Sequence, residues 1–167
     1  LKDMSTVVTG LTQKALGDLE KMRRKEGSVL QKDLVQRIHG IEGRLRTVQQ
    51  RIPVALQASG IRLKARVSKL LDGASVNMDR VAQELAMLAE RSDVTEELTR
   101  LKSHVAQFRT ALKAKGPVGK RLDFLLQEMG REVNTIGSKA NDGEISFEVV
   151  ELKSELEKIR EQVQNIE

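Results

Sequence analysis

Apolar residues along this chain recur at steps of three and four, the spacing that keeps one face of an α-helix buried. From about Thr12 the pattern is sustained, and Leu30, Leu34, Ile38, Ile41, Leu45, Val48 and Ile52 form a heptad seam. Pro53 lacks an amide hydrogen and crowds the preceding turn, so it should kink or split this helix. A second seam runs through Leu56, Leu63, Val67 and Leu70 and stops near Asp72 and Gly73. Unbroken, about 60 residues of helix would span roughly 90 Å, more than a bundle of this size can enclose. The segment should project as an arm or pack against another subunit. Residues 1–11, aperiodic and containing Gly10, read as a linker or frayed end. Residues 12–75 read as a long basic helical arm, and 76–167 as a helical bundle carrying the candidate active site.

Four shorter helices are expected in that bundle. The first covers about 78–90, with Val81, Leu85 and Leu88 inward. Asp93, with Glu96 three residues later, is a capping-box pattern for the second, about 94–114. Its seam is Val94, Leu98, Leu101, Val105, Phe108 and Leu112. Gly116 and Pro117 mark a loop, after which Leu122, Leu125, Leu126, Met129, Val133 and Ile136 stripe a helix over about 120–138. Asn141, Asp142 and Gly143 turn the chain and can cap the last helix. That helix carries Ile145, Val149, Leu152, Leu156, Ile159, Val163 and Ile166. Strand-like alternation is absent, so the fold class is all-α: a Pro-kinked helical arm plus a bundle with coiled-coil-like seams.

Composition fits this picture. Trp and Tyr are absent and only three Phe occur, so Leu, Ile, Val and Ala must supply the core. The absence of Cys excludes disulfides, a thiolate nucleophile and zinc–thiolate sites. No apolar run approaches a membrane span and no signal peptide is evident, so a cytoplasmic protein without a membrane partner is expected. The chain opens on Leu1, which suggests a fragment of something longer. Net charge is +5, unevenly spread: residues 1–76 hold 15 Lys and Arg against 7 Asp and Glu, whereas 77–167 hold 14 against 17. A basic part joined to an acidic part suits a protein that holds a polyanion with one and cations with the other. Solvated helix faces produce the same asymmetry.

Candidate chemistry concentrates in the second half. Glu128 and Glu132 are four apart and share a flank, where like charges need an offset: a cation side chain, a metal ion or solvent. Asp123, Gln127, Arg131, Asn134 and Lys139 complete that helix's polar surface, which would also suit a plain amphipathic helix. Glu97 and His104, seven apart, share a flank with Arg100 between them. Imidazoles serve as general acids or bases near neutral pH, and metal-bound water is the alternative nucleophile. A structural histidine is the simpler reading of His104, and a surface group that of His39. Glu84 could join Glu128 and Glu132 if the helices pack antiparallel. Arg44, Arg46, Arg51, Arg62, Lys64, Arg66 and Lys69 line the arm, as phosphate contacts or as surface heptad charges. Neither a Gly-rich phosphate loop nor a His-Glu-x-x-His signature occurs.

Several runs together resemble one family. They are DRVAQE over 79–84, AERSDVTEELTRLKSH over 89–104, GKRLDFLLQEMGREVNT over 119–135, Ser138 with Lys139, and REQVQNIE over 160–167. Upstream, Met22, Arg23, Glu26, Gly27, Leu30, Asp33, Leu34 and Arg37 fit as well. The sequence is similar to the YicC family, over its C-terminal part only, with a further N-terminal domain in family members. The resemblance implies a metal-dependent endoribonuclease, assisted by manganese or magnesium and assembled as a hexamer around RNA. It also implies RNA turnover beside an exoribonuclease partner. On that reading Glu84, Glu128, Glu132 and Asp123 would surround the cation, with His104, Glu128 and Glu132 catalytic. Glu97 and Asn134 would support them, while Arg44, Arg46, Arg62, Lys64, Arg66, Arg100, Arg131 and Lys139 contact RNA. The rival readings are an RNA-binding adaptor that recruits a nuclease and a structural coiled-coil module. With too few aromatics for a stacking platform, binding would be chiefly electrostatic.

Overall fold

The computed structural model describes residues 2–70, 78–114 and 116–164. These form five helices and no strand: α1 (Lys2–Leu70), α2 (Met78–Arg91), α3 (Thr95–Ala111), α4 (Gly119–Lys139) and α5 (Gly143–Val163). The expected all-α class holds. At 69 residues, α1 extends about 100 Å. It is longer than the periodicity suggested, because residues 2–10, expected as linker, continue the same helix. Pro53 lies inside α1 without dividing it. The lost hydrogen bond is tolerated where Val48 and Ala55, within a turn and a half to either side, are buried against the bundle.

Four helices share one core: the middle of α1, then α3, α4 and α5. Their directions follow from which ends meet. Gln31 donates to the Leu112 carbonyl and Lys102 to Gln49, so α1 and α3 run antiparallel. Arg37 meets Glu155 and Arg51 meets Asp142, so α5 is antiparallel to α1 as well. Leu34, Ile38, Ile41, Leu45 and Val48 of α1 interdigitate with Leu101, Phe108, Leu122, Met129, Ile136, Ile145, Leu152 and Ile159, all at most 2% exposed. Phe108 alone among the aromatics is buried; Phe124 and Phe147 are exposed.

A ladder of ion pairs fastens α5 to α1. Arg37, Arg44 and Arg51 recur at heptad spacing, two turns apart, on one flank of the seam. Arg37 reaches Glu155 at 3.2 Å, and Arg44 bridges Glu148 at 2.8 Å and Glu151 at 2.7 Å. Arg51 holds Asp142 at 2.9 Å. Asp142 also accepts from the Glu144 and Ile145 amides, capping α5 as expected of the Asn-Asp-Gly turn. The arginine bond and these amides hold the Asp142 carboxyl below the usual carboxylate range, against the opposing effect of burial. The capping box expected at α3 does not close. Asp93 accepts from the Thr95 amide, but Glu96 turns along the helix to Arg100 instead of back to Asp93.

Beyond the bundle, α2 packs on the far part of α1, with Val81 buried and Leu85 and Leu88 half-buried. Gly60 faces Leu85 across this contact; a Cβ there would sit 3.5 Å from it, an ordinary van der Waals distance. Leu63 and Val67 are half-buried, whereas Leu56 is exposed. Asp72, Gly73 and Ile166 lie outside the described residues. At the other end of α1, Met4, Val8, Leu11, Leu19, Met22 and Val29 are all exposed. They follow one helical stripe rotated from the seam buried farther on.

Two glycines of α4 make opposite predictions. At Gly137 a Cβ would lie 2.9 Å from Val149 Cγ1, so the α4–α5 approach depends on its absence; at Gly130 nothing lies within 4 Å. Val149 is β-branched and cannot swing aside freely. We expect Gly137→Ala to cost about 1–3 kcal/mol and Gly130→Ala to add up to about 1 kcal/mol, as read by urea denaturation.

Candidate functional site: a charged helix seam and its neighbouring clefts

The antiparallel contact of α3 with α4 carries a run of alternating charges along one flank. Lys139 donates to the Asp93 carbonyl at 3.0 Å and to Glu97 Oε1 at 2.8 Å. One turn on, Arg100 meets Glu132 at 3.6 Å while also bonding Glu96. The register that sets 93 against 139 and 100 against 132 sets His104 opposite Glu128. Glu132 lies one turn farther along, level with Arg100. His104 is half-buried, its Nδ1 enclosed and without a hydrogen-bond partner. Glu128 accepts from Arg131 at 2.6 Å.

Glu97 and Glu132 are the buried charged side chains among the described residues, each 7% exposed. Burial alone would raise the Glu97 carboxyl, and it is the largest single influence. The Lys139 bond, a backbone hydrogen bond and the charges of Lys139 and Arg100 together outweigh it and hold the group ionised below its ordinary range. Glu96 and Glu132 in turn raise the Arg100 guanidinium further above its already high value. The seam thus pairs Glu97 with Lys139 and Glu132 with Arg100, beside the imidazole of His104.

Other expected site residues fall elsewhere. Asp123 is on the opposite flank of α4, 3.4 Å from Arg160 and accepting from Gln127 at 2.7 Å. Glu84 does not join the seam: α2 packs on α1, and Glu84 lines a cleft there with Arg62, Arg66 and Arg91. Consequently Glu84, Glu128, Glu132 and Asp123 are not gathered, and among the described residues no group of three His, Asp or Glu is placed to hold a metal ion. The donor set of this chain does not fit a divalent-cation centre by itself, because Glu132, Glu128 and Asp123 are drawn instead to Arg100, Arg131 and Arg160.

The basic residues divide similarly. Arg44 is committed to α5 in the ladder described above, so it is a fastening rather than a phosphate contact; the neighbouring acids Glu148 and Glu151 keep it charged. Arg46 and Lys64 are exposed. Arg62 and Arg66 face the α1–α2 cleft, of about 350 Å³. Arg131 and Asn134 line a groove of about 470 Å³ between α4 and α5 with Lys153 and Arg160. That groove is electrically balanced, since Glu128 and Asp123 pair two of its cations and Glu157 also lines it. Arg91, Lys153 and Arg160 were not singled out from sequence. Each looks like an ordinary charge on an amphipathic helix, and only packing shows which cleft it enters.

The fold and these charges define the class: an all-α bundle with an acid–base seam on one helix pair and an arginine-lined cleft beside it. Residues 48–167 match the family described as endoribonuclease YicC-like, C-terminal. The chain is 43% identical over 154 residues to the probable endoribonuclease YicC of Clostridioides difficile, covering 92% of this chain and 53% of that protein. It is 42% identical to the probable endoribonuclease YicC of Haemophilus influenzae, covering 91% of this chain and 52% of that one. This chain belongs to the YicC-like endoribonuclease family. It spans about half the length of these relatives.

The Glu97–Lys139 pair yields a pH prediction. Because Glu97 is depressed in the fold, its contribution is complete above the ordinary glutamate range and is lost as pH falls through the lowered value. Lys139→Met leaves burial dominant, so the destabilisation should reach about 1–3 kcal/mol near neutrality and shrink as acid neutralises Glu97. Adding Glu97→Gln should recover part of the loss. Urea denaturation at pH 7 and pH 4 reads both effects.

Proposed function

We propose that this chain is the RNA-handling and catalytic portion of an endoribonuclease that cleaves single-stranded RNA. The carrying observation is the half-buried imidazole of His104 set level with Glu128 in a seam that also presents Arg100 and Lys139, with Arg131 bonded to Glu128 from the α4–α5 side; the names borne by the relatives agree with this reading. RNA supplies its own nucleophile, the 2′-hydroxyl. His104 takes the 2′-hydroxyl proton as the 2′-oxygen bonds to phosphorus, and the bond from phosphorus to the 5′-oxygen breaks. The imidazolium then returns a proton to the departing 5′-oxygen. Arg100 and Arg131, held by Glu132 and Glu128, face the charge that builds on the phosphate oxygens. Glu97 and Asn134 act by position, through Lys139 and the outer edge of α4. The stretch of α1 beyond Pro53, with Arg62, Lys64, Arg66 and Lys69 and no acid up to Leu70, attracts the backbone electrostatically. The exposed apolar stripe at the start of α1 supports self-association of the whole protein.

A second reading, an RNA-binding adaptor without chemistry, is favoured by the pairing of every seam carboxylate with a cation. Cleavage of end-labelled single-stranded RNA by the full-length protein, with and without EDTA, separates the two. We expect His104→Ala to lower cleavage about 10²-fold or more while RNA affinity holds. Glu128→Gln and Glu132→Gln should lower it less. Undiminished cleavage by His104→Ala would remove the imidazole from the reaction, and binding without cleavage in every preparation would leave the adaptor.

A further inference from the structure

Two cavities at the end of the bundle lie side by side and share lining residues. The α1–α2 cleft is rimmed by Arg62, Arg66 and Arg91, with Glu84 the acid among its lining residues. The second, of about 490 Å³, lies between α1, the α2–α3 junction and the α4–α5 turn. Its walls are apolar, from Ile52, Leu56, Val94 and Ile145, and Glu90 and Asp93 supply carboxylates. Ser59, Ser92 and Asn141 line both spaces and mark where they meet. A cationic mouth thus opens into an apolar chamber with hydrogen-bonding groups at the threshold.

We infer that this composite cleft binds one nucleotide of single-stranded RNA, with phosphate at Arg62, Arg66 and Arg91 and the base in the apolar chamber. The inference rests on the RNA reading above and adds a site that neither the seam nor the family likeness assigns. Several observations favour a nucleotide over a bare anion or a bare apolar group. The combined space is in the range of small-ligand sites. Guanidinium groups match phosphate oxygens in fork geometry. An unstacked base is a flat apolar body with polar edges, read in single strands by side-chain hydrogen bonds. Asn141 offers both a donor and acceptor, and Glu90 and Asp93 accept from amino groups on a base. The α4–α5 groove lacks this combination, because its charges cancel.

The cleft adjoins the seam. Asp93, which lines the chamber, is bonded through its carbonyl to Lys139 at the near end of the seam. From Asp93 to His104 is about 16 Å along α3, a separation of a few nucleotides. A base held in the chamber would therefore set which phosphodiester lies beside His104, so the cleft positions substrate without touching the reacting atoms.

The test uses the full-length protein carrying His104→Ala, so that RNA stays intact, and fluorescence anisotropy of a labelled single-stranded oligoribonucleotide across a salt series. Arg91→Ala, Arg62→Ala and Arg66→Ala should each weaken binding several-fold and lower the salt slope by about one. Ser59→Phe, which fills the junction and removes the hydroxyl that accepts from Arg62, should weaken binding about tenfold. Asn141→Ala, on an exposed turn residue, should shift the preference among homopolymers without loss of helicity. Wild-type affinity and salt slope in folded Arg91→Ala and Ser59→Phe would overturn the cleft, whatever the cleavage assays show. Absence of cleavage by the parent protein, with these losses of binding intact, would remove the catalytic reading and leave the nucleotide site standing.

Discussion

The aliphatic seam from Leu34 to Val48 on α1, buried between α3 and α5, is the contact on which everything else depends. A chain without Trp or Tyr has only slender side chains to bury, and these fill a core best when helices lie nearly antiparallel and interdigitate. α1 supplies the axis for this. The heptad arginines Arg37, Arg44 and Arg51 stand beside the seam and fix the register of α5, because each meets an acid only when Asp142 lies level with residue 51. Hydrophobic burial drives the assembly, and the charge ladder selects one alignment among several that the aliphatic stripes would tolerate.

That same antiparallel arrangement builds the seam between α3 and α4. Once Gly137 lets α5 approach and the short turn at Asn141 returns the chain, α4 has one face on the core and both edges against neighbours. Glu132 is buried at one edge and meets Arg100; Asp123 is at the other and meets Arg160. Two carboxylates nine residues apart on one helix are thereby sent to opposite sides. A buried carboxylate without a partner would be costly, so Glu132 is matched to Arg100 as Glu97 is to Lys139.

The seam and the arginine cleft occupy different parts of the molecule. The seam is rigid, on two long helices packed over their whole length. The arginine cleft is formed where α1 leaves the bundle and α2 folds back on it. Their charges follow the charge division of the sequence, since Arg62 and Arg66 stand on the acid-free stretch of α1 after Pro53 and the seam's acids and imidazole stand in the bundle. The cleft's cations come from three turns on two helices that sequence order separates.

Much of this was legible beforehand. Steps of three and four located α3, α4 and α5 almost to the residue, because a buried helix face requires that period. The pairing of Glu97 with His104 and of Glu128 with Glu132 on shared flanks was equally readable, because helical spacing is local. Three things were not. Helix continuity through Pro53 was decided by burial on both sides of it. The roles of Arg44 and Arg62, indistinguishable as arm charges, were decided by whether α5 or an open cleft lay opposite. Glu84 went to α1 rather than to the seam because the apolar side of α2, with Val81, Leu85 and Leu88, packs on α1. Sequence alone determined which residues could share a helix face, since that depends on neighbours along one chain; only tertiary packing decided which faces meet, since that depends on distant surfaces fitting together.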